Sequence, residues 1–351
     1  MTVYIFMLLF IYILGFFFTN MQEDKVIQWG IGKEILFFII TCIFICISGL
    51  RYNVGADFFG YYNNFDYYAA DTLNIFENNE IGIRIIAKIA MLIGSSPQIY
   101  IFLCSMFTIV LFMLTIKKYS EITVMSLMLY VFLGMFLGSF NAIRQYLAVS
   151  IVFFSIRYIF ETKWKPWVIS ICVAFLFHTS AIFILPIYWL VTIKNKKLFV
   201  LFLSIVAVIA FFSYDQIFLM IDNLKGNING NTSERLYAQN EVSLFRVAAS
   251  WAPVLLCYFP AAIRPENNKD RILINYTLLA AILQTVSMNS TYLARFCTYT
   301  TAVNILTIPA LIKYQDDNNR FVLKFLIYVL YFIYWTAEAT GPYVVNYQWC
   351  F

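Results

Sequence analysis

The chain has a single histidine, His178, and charged side chains make up only 12% of it. It contains no GxSxG nucleophile, no P-loop, no HExxH pair and no DxD, so serine-hydrolase, nucleotide-hydrolase, zinc-protease and metal-dependent nucleotide-sugar chemistries lack their usual residues. Its seven cysteines (Cys42, Cys46, Cys104, Cys172, Cys257, Cys297, Cys350) form no CxxC pair and sit mostly within apolar runs. Small buried hydrophobes account for nearly all of them, and neither a disulfide framework nor a metal site is expected. The net charge is +5, yet no basic cluster is dense enough to follow a phosphate backbone, so nucleic acid is not an expected partner. There is no internal repeat, no soluble domain and no low-complexity tail. The first apolar run, 3–19, lacks the basic start and small-residue cleavage site of a signal peptide and is read as a retained transmembrane helix.

What the sequence does have is hydrophobic side chains, at 62% of its residues. That lies far outside soluble composition and identifies an integral membrane protein. Apolar runs of near membrane length fall at 3–19, 35–50, 98–116, 122–140, 142–160, 166–178, 180–193, 198–213, 246–263, 272–288, 292–312 and 321–338. The expectation is an all-α, polytopic transmembrane bundle of about twelve spanning helices, one domain over 1–351. A shorter run at 81–95, carrying Arg84 and Lys88, is read as a partial or re-entrant helix within an outer segment 51–97. A second outer segment is expected at 214–245.

Lysine and arginine accumulate in short cytoplasmic loops, which tests that layout. Placing 20–34 inside also puts inside Lys117 and Lys118, then Arg157, Lys163 and Lys165, then Lys194, Lys196 and Lys197. Arg264, Lys269 and Arg271 follow, then Lys313, Arg320 and Lys324. The pattern requires that 81–95 does not cross and that the chain turns back near His178. Arg51, Arg84, Lys88, Arg144, Lys225, Arg235, Arg246 and Arg295 are left on the outer side. A cation beside hydrocarbon is costly without a partner, so several converging on one face suggest a pocket for a polyanion.

Three stretches carry the candidate chemistry. Arg51-Tyr52-Asn53-Val54-Gly55-Ala56-Asp57 leaves the second span and sets an arginine and a carboxylate on a loop that Gly55 lets fold back. Tyr61, Tyr62, Tyr67 and Tyr68 follow it, with Tyr343, Tyr347 and Trp349 in the tail, and such rings suit sugar faces as well as membrane interfaces. Asn141, Arg144 and Gln145 fall at helical spacing by the outer mouth of a helix, where its N-terminus favours phosphate oxygens. His178, in Phe177-His178-Thr179-Ser180-Ala181, has a side chain suited to proton transfer, although a lone histidine is often structural. Arg295 shares a helix face with Tyr292 and Tyr299, and Arg246 begins its own helix; each reads as a phosphate clamp or an interfacial anchor.

Together these three stretches, in their order and spacing and with Pro186 after the third, resemble the EpsG family of bacterial polysaccharide polymerases within the wider Wzy-type group. The resemblance implies a GT-C glycosyltransferase fold in the bacterial cytoplasmic (inner) membrane. It implies transfer of a glycan from undecaprenyl diphosphate to the terminal sugar hydroxyl of another lipid-linked repeat unit, on the extracytoplasmic side. The partner is then an undecaprenyl-diphosphate-linked oligosaccharide within membrane lipid, and a chain-length regulator (co-polymerase) is left open. No cofactor or metal is expected, because arginines supply the charge. On this reading Arg51 and Arg144 act on the diphosphate with Arg295 and Arg246, and Asp57 or His178 is the base. Gln145, Asn141, Arg84, Tyr61, Tyr62 and Tyr299 complete the expected substrate contacts. A lipid-linked sugar flippase, an O-antigen-type ligase and a membrane O-acyltransferase remain alternatives.

Overall fold

The structure, a computed structural model, describes residues 1–20, 30–70, 81–209, 243–257, 267–289, 291–339 and 341–351. Lys25, Lys225, Arg235, Arg264, the expected outer loop 214–245 as far as residue 242, and the side chains of Tyr292 and Tyr343 lie outside what is described. The described residues are helical apart from short connections and one isolated antiparallel bridge between Arg51 and Trp349. In chain order the helices are α1 (Thr2–Asn20), α2 (Ile31–Gly49), α3 (Phe58–Asn63), α4 (Phe65–Ala69), α5 (Ile81–Gly94), α6 (Pro97–Tyr119), α7 (Thr123–Phe132), α8 (Met135–Asn141), α9 (Ile143–Phe160) and α10 (Trp164–Phe175). A 3-10 turn at Thr179–Ile184 leads to α11 (Ile187–Val191), and α12 covers 196–209. Then come α13 (Leu244–Leu256), α14 (Asn268–Val286), α15 (Thr291–Thr301), α16 (Asn304–Lys313), α17 (Asp317–Tyr334) and α18 (Pro342–Val345).

Among the described residues five helices are long and apolar enough to cross a membrane: Ile31–Gly49, Pro97–Tyr119, Thr123–Asn141, Ile143–Phe160 and Asp317–Glu338. This is the architecture of a membrane protein. Every apolar run expected to span overlaps a helix, but several helices are shorter than their runs. The run 122–140 breaks at Gly134, whose left-handed φ of 76° a side chain resists. The run 292–312 breaks between Thr301 and Asn304, and beyond the break Pro309 lies inside α16 with no N–H to offer the ladder. Between the runs 166–178 and 180–193 the chain does turn back near His178, since Trp167 Nε1 of α10 donates to Leu185 O at 3.1 Å on the returning segment.

Hydrogen bonds sort the helix ends into two sets. At one end Lys117 pairs with Glu34 at 2.5 Å, Asn268 Nδ2 donates to Phe160 O at 3.4 Å, and Asn275 Nδ2 donates to Val191 O at 2.9 Å. At the other, Gln98 Nε2 donates to Gly49 O at 2.7 Å, Gly82 N to Leu176 O at 2.9 Å, and Tyr4 Oη to Val344 O at 2.9 Å. Helix α5 is tied to this second end on both sides, through Gly82 and through Ser95–Ser96 into α6. Ser96 caps α6 by accepting from Gln98 N at 3.2 Å, with Pro97 in the first helical turn. A large apolar core runs between the two ends, and a smaller one around Phe58, Phe65, Tyr100 and Ile143 sits under α3–α5.

The first end holds the basic loops, where Glu121 bridges Lys269 at 2.6 Å and Lys313 at 2.7 Å, joining the α6–α7 connection to α14 and α16. Burial pushes the Glu121 carboxyl up, but the hydrogen bonds and charges of Lys269 and Lys313 outweigh it and hold the group below its ordinary value. A carboxyl depressed on folding adds stability above its unfolded pKa and loses it as pH falls through the folded one. Glu121→Gln is therefore expected to lower unfolding stability by roughly 1 kcal/mol at neutral pH. The gap from the unsubstituted protein should close below about pH 4, read as the thermal midpoint of tryptophan fluorescence in detergent. A gap that persists in acid would mean the bridge contributes by packing instead.

Candidate functional site

The loop after α2 is built around Arg51, whose side chain is fully buried. Its Nη1 donates to Ser48 O and, at 3.0 Å, to Ser105 Oγ; its Nε donates to Val54 O at 3.3 Å. The guanidinium lies 4.6 Å from the Phe140 ring centroid, where the π face attracts a cation. Arg51 thus ties down the backbone that carries Asp57, and takes no ion-pair partner among the described residues in doing so. Two more constraints close the loop. Ala56 N donates to Asn141 Oδ1 at 2.7 Å, and Gly55 has φ +107° with its Cα against α8, where an added Cβ would meet Phe140 O at 2.4 Å. From the other side Tyr52 N donates to Gln348 O at 2.9 Å and Cys350 N to Leu50 O at 3.0 Å, so residues 348–350 strap the loop in place.

This arrangement puts Asp57 on the rim of a cavity of about 310 Å³ at the second end of the bundle. Its wall combines Asp57 with Asn141 of α8, Gln145 and Tyr146 of α9, Arg246 of α13, Gln284 of α14, Arg295 of α15, and Tyr334 and Glu338 from the end of α17 and the turn after it. Arg246 Nη2 and Glu338 Oε2 are 2.8 Å apart. Gln145 Nε2 donates to Arg295 O at 2.6 Å, which fixes the helix turn bearing Arg295, while the Arg295 side chain itself is exposed. Seven separate segments therefore contribute polar groups to one space, with two guanidinium groups and two carboxylates among them. A phosphorylated ligand in such a space meets arginine forks from two directions, and a hydroxyl beside Asp57 meets an acceptor for its proton.

Of the residues singled out from sequence, Asp57, Asn141, Gln145, Arg246 and Arg295 share this cavity. The others lie around it. Arg144 and Gln145 are consecutive and so about 100° apart around α9; Gln145 faces the cavity, whereas Arg144 Nε donates to Tyr61 Oη at 3.4 Å, its guanidinium 5.6 Å from that ring. Asn141 closes α8 rather than opening α9, because Ala142 leaves helical geometry between them, so the three do not share one helix face as their spacing suggests. Tyr62 stacks on Phe58 at 5.5 Å between centroids. Arg84 is 8% exposed and lies 5.8 Å from the Tyr67 ring. His178 is half-buried at the entry to the 3-10 turn, off the cavity wall; its neighbour Ser180 reaches the Tyr299 hydroxyl at 3.2 Å.

Glu338, Tyr334, Tyr146 and Gln284 were not singled out from sequence. For Glu338 the signal was there: a carboxylate closes the apolar run 321–338, where an acid is costly without a partner. It sits in a turn of π-helix, Trp335–Ala339, a geometry that recurs at functional sites. Tyr146 and Gln284 look like ordinary polar residues within apolar helices, and only the packing of α9 against α14 sets them on a common wall.

No curated protein and no solved structure matches the chain. The model of the EpsG family does, from residue 34 to residue 349. Since that match covers most of the chain and takes in the Arg51–Asp57 loop and every wall of the cavity, the chain belongs to the EpsG family.

Proposed function

We propose that this protein is a polysaccharide polymerase of exopolysaccharide biosynthesis, a GT-C-type membrane glycosyltransferase. The proposed reaction joins lipid-diphosphate-linked repeat units in the cavity bounded by Asp57, Arg246 and Arg295. Its donor is a glycan on undecaprenyl diphosphate, and its acceptor is the terminal sugar hydroxyl of a second lipid-linked unit. The observation that carries this reading is the convergence of two arginines from separate helices and a carboxylate on one cavity. The basic loops gather at the opposite end of the bundle, which supports an extracytoplasmic site.

In the proposed step the acceptor oxygen bonds to the anomeric carbon of the donor sugar as the bond from that carbon to the diphosphate oxygen breaks. The electron pair leaves with the lipid diphosphate, and the hydroxyl proton passes to Asp57. Arg246 and Arg295 stabilise the charge that grows on the leaving group, and guanidinium forks aimed at two phosphoryl groups need little reorganisation to do so. Asp57 is exposed at the cavity rim, where a second sugar chain has room to enter. His178 has no part in this scheme, and Arg51 and Asn141 act by holding the loop.

Asp57→Asn keeps the shape and removes the proton acceptor. It is expected to cut polymer formation by about a hundredfold or more, read as lipid-linked glycan ladders from cells carrying equal amounts of each protein in their membranes. Single repeat units should accumulate on the lipid. A ladder of ordinary length from the Asp57→Asn cells would remove Asp57 from the reaction, and units trapped on the cytoplasmic leaflet would point to a flippase.

A further inference from the structure

The cavity wall carries as many carboxylates as guanidinium groups. Arg246 and Arg295 face it with Asp57 and Glu338, and Glu338 holds Arg246 at 2.8 Å. A site that only had to attract anions would gain nothing from this second carboxylate, which offsets a guanidinium. Nor is the pair needed to join its helices. Between α13 and α17, Val254, Ile327 and Tyr331 are already buried, and Tyr331 Oη donates to Ala249 O at 2.7 Å. Holding Glu338, whose side chain is 13% exposed, beside Arg246 also costs part of its hydration.

The surroundings of the pair supply a reason. Leu244 and Phe245, just before Arg246, are exposed, and so are Phe332 and Ile333, just before the turn that carries Glu338. Exposed apolar faces on the helices of a membrane protein are lipid-facing. Arg246 therefore stands next to a surface bathed in phospholipid, whose acidic members present phosphodiester monoanions to any unguarded guanidinium.

We infer that Glu338 is a charge filter: by occupying Arg246 it keeps monoanionic phosphodiester lipids out of the cavity while admitting a lipid diphosphate. The inference rests on the diphosphate reading above and adds what the site rejects. Any anion that takes Arg246 has to break the same pair, a fixed cost. A phosphodiester brings one charge and reaches one guanidinium. A diphosphate has two phosphoryl groups, so it engages Arg246 and Arg295 together and recovers the cost from both. Selectivity of this kind comes from a repulsive element directed at the unwanted ligand. Glu338 acts through Arg246 and is a positioning residue.

The test uses the full-length protein in nanodiscs of phosphatidylcholine and phosphatidylglycerol, with native mass spectrometry to count retained phosphatidylglycerol. Glu338→Gln is expected to hold phosphatidylglycerol about tenfold more tightly than the unsubstituted protein. Glu338→Asp, which keeps the charge, should stay close to the unsubstituted protein, and Glu161→Gln, at the opposite end, should not differ from it. Farnesyl diphosphate should displace the lipid from Glu338→Gln, and farnesyl monophosphate should not. Equal retention with and without the carboxylate overturns the filter, whatever farnesyl diphosphate does. Tighter retention that farnesyl diphosphate fails to reverse supports the exclusion of phosphodiesters but overturns the diphosphate reading. If Glu338→Gln does not fold, the unsubstituted protein in phosphatidylcholine alone carries the test. It should bind farnesyl diphosphate about tenfold more tightly than farnesyl monophosphate, and equal binding overturns the filter.

Discussion

Arg295→Gln is expected to lower the rate of polymer formation by about a hundredfold or more while leaving the melting temperature of the purified protein nearly unchanged. Its side chain is exposed at the cavity, and substitutions of exposed side chains shift stability little. What disappears is one fork of the diphosphate clamp, at the moment when negative charge is growing on the leaving oxygen. Arg246→Gln should give a loss of the same order, but with a second effect. It strands Glu338, whose side chain is only 13% exposed, and leaving such a group without its partner destabilises by roughly 1–2 kcal/mol. Adding Glu338→Gln to Arg246→Gln should restore melting without restoring polymer. The measurement is synthesis from lipid-linked repeat units in nanodiscs, with melting followed on the same samples. Ordinary polymer from Arg295→Gln would dismiss the clamp.

Gly55→Ala is expected to be nearly as damaging from outside the cavity. At φ +107° any side chain is strained, which costs about 1–3 kcal/mol. The added methyl would also lie 2.4 Å from the Phe140 carbonyl oxygen, a contact only backbone movement relieves. Either the loop lifts from α8 or α8 shifts, and both break the Ala56–Asn141 hydrogen bond that sets the position of Asp57. A carboxylate displaced by about 1 Å loses about a hundredfold in rate. Substrate binding through Arg246 and Arg295 should survive, so kcat falls while donor KM stays close to its original value. A donor KM that rises in step would mean that the loop contacts the donor directly.

These cases show how much of the site was readable in the sequence. Asp57, Asn141, Gln145, Arg246 and Arg295 stood out because polar groups beside hydrocarbon need a purpose, and they meet in one cavity. Arg51 stood out for the same reason, yet its donors go to Ser48, Val54 and Ser105. Which purpose a buried arginine serves depends on residues far along the chain, here Ser105 and Phe140, and spacing within its own segment carries no trace of them. Arg144 and Gln145 separate by one step around a helix whose rotation is set by its neighbours. The turn near His178 was legible, because the sign of loop charge reports on sidedness even where helices are too short to announce themselves. The breaks inside the runs 122–140 and 292–312 were not, since hydropathy averages over the single residue that interrupts a helix.

The strap over the Arg51 loop bears on how the protein is made. Tyr347 donates to the carbonyl of Ile47, a partner 300 positions earlier, and residues 348 and 350 complete the pairing with 50 and 52. A ribosome delivers the second span long before it reaches that strap. Until the strap has been made the loop edge lacks these partners, so its final shape can set only after residues 347–350 have been translated. A polypeptide stalled before position 347 would carry the second span and still lack the restraint that seats Asp57.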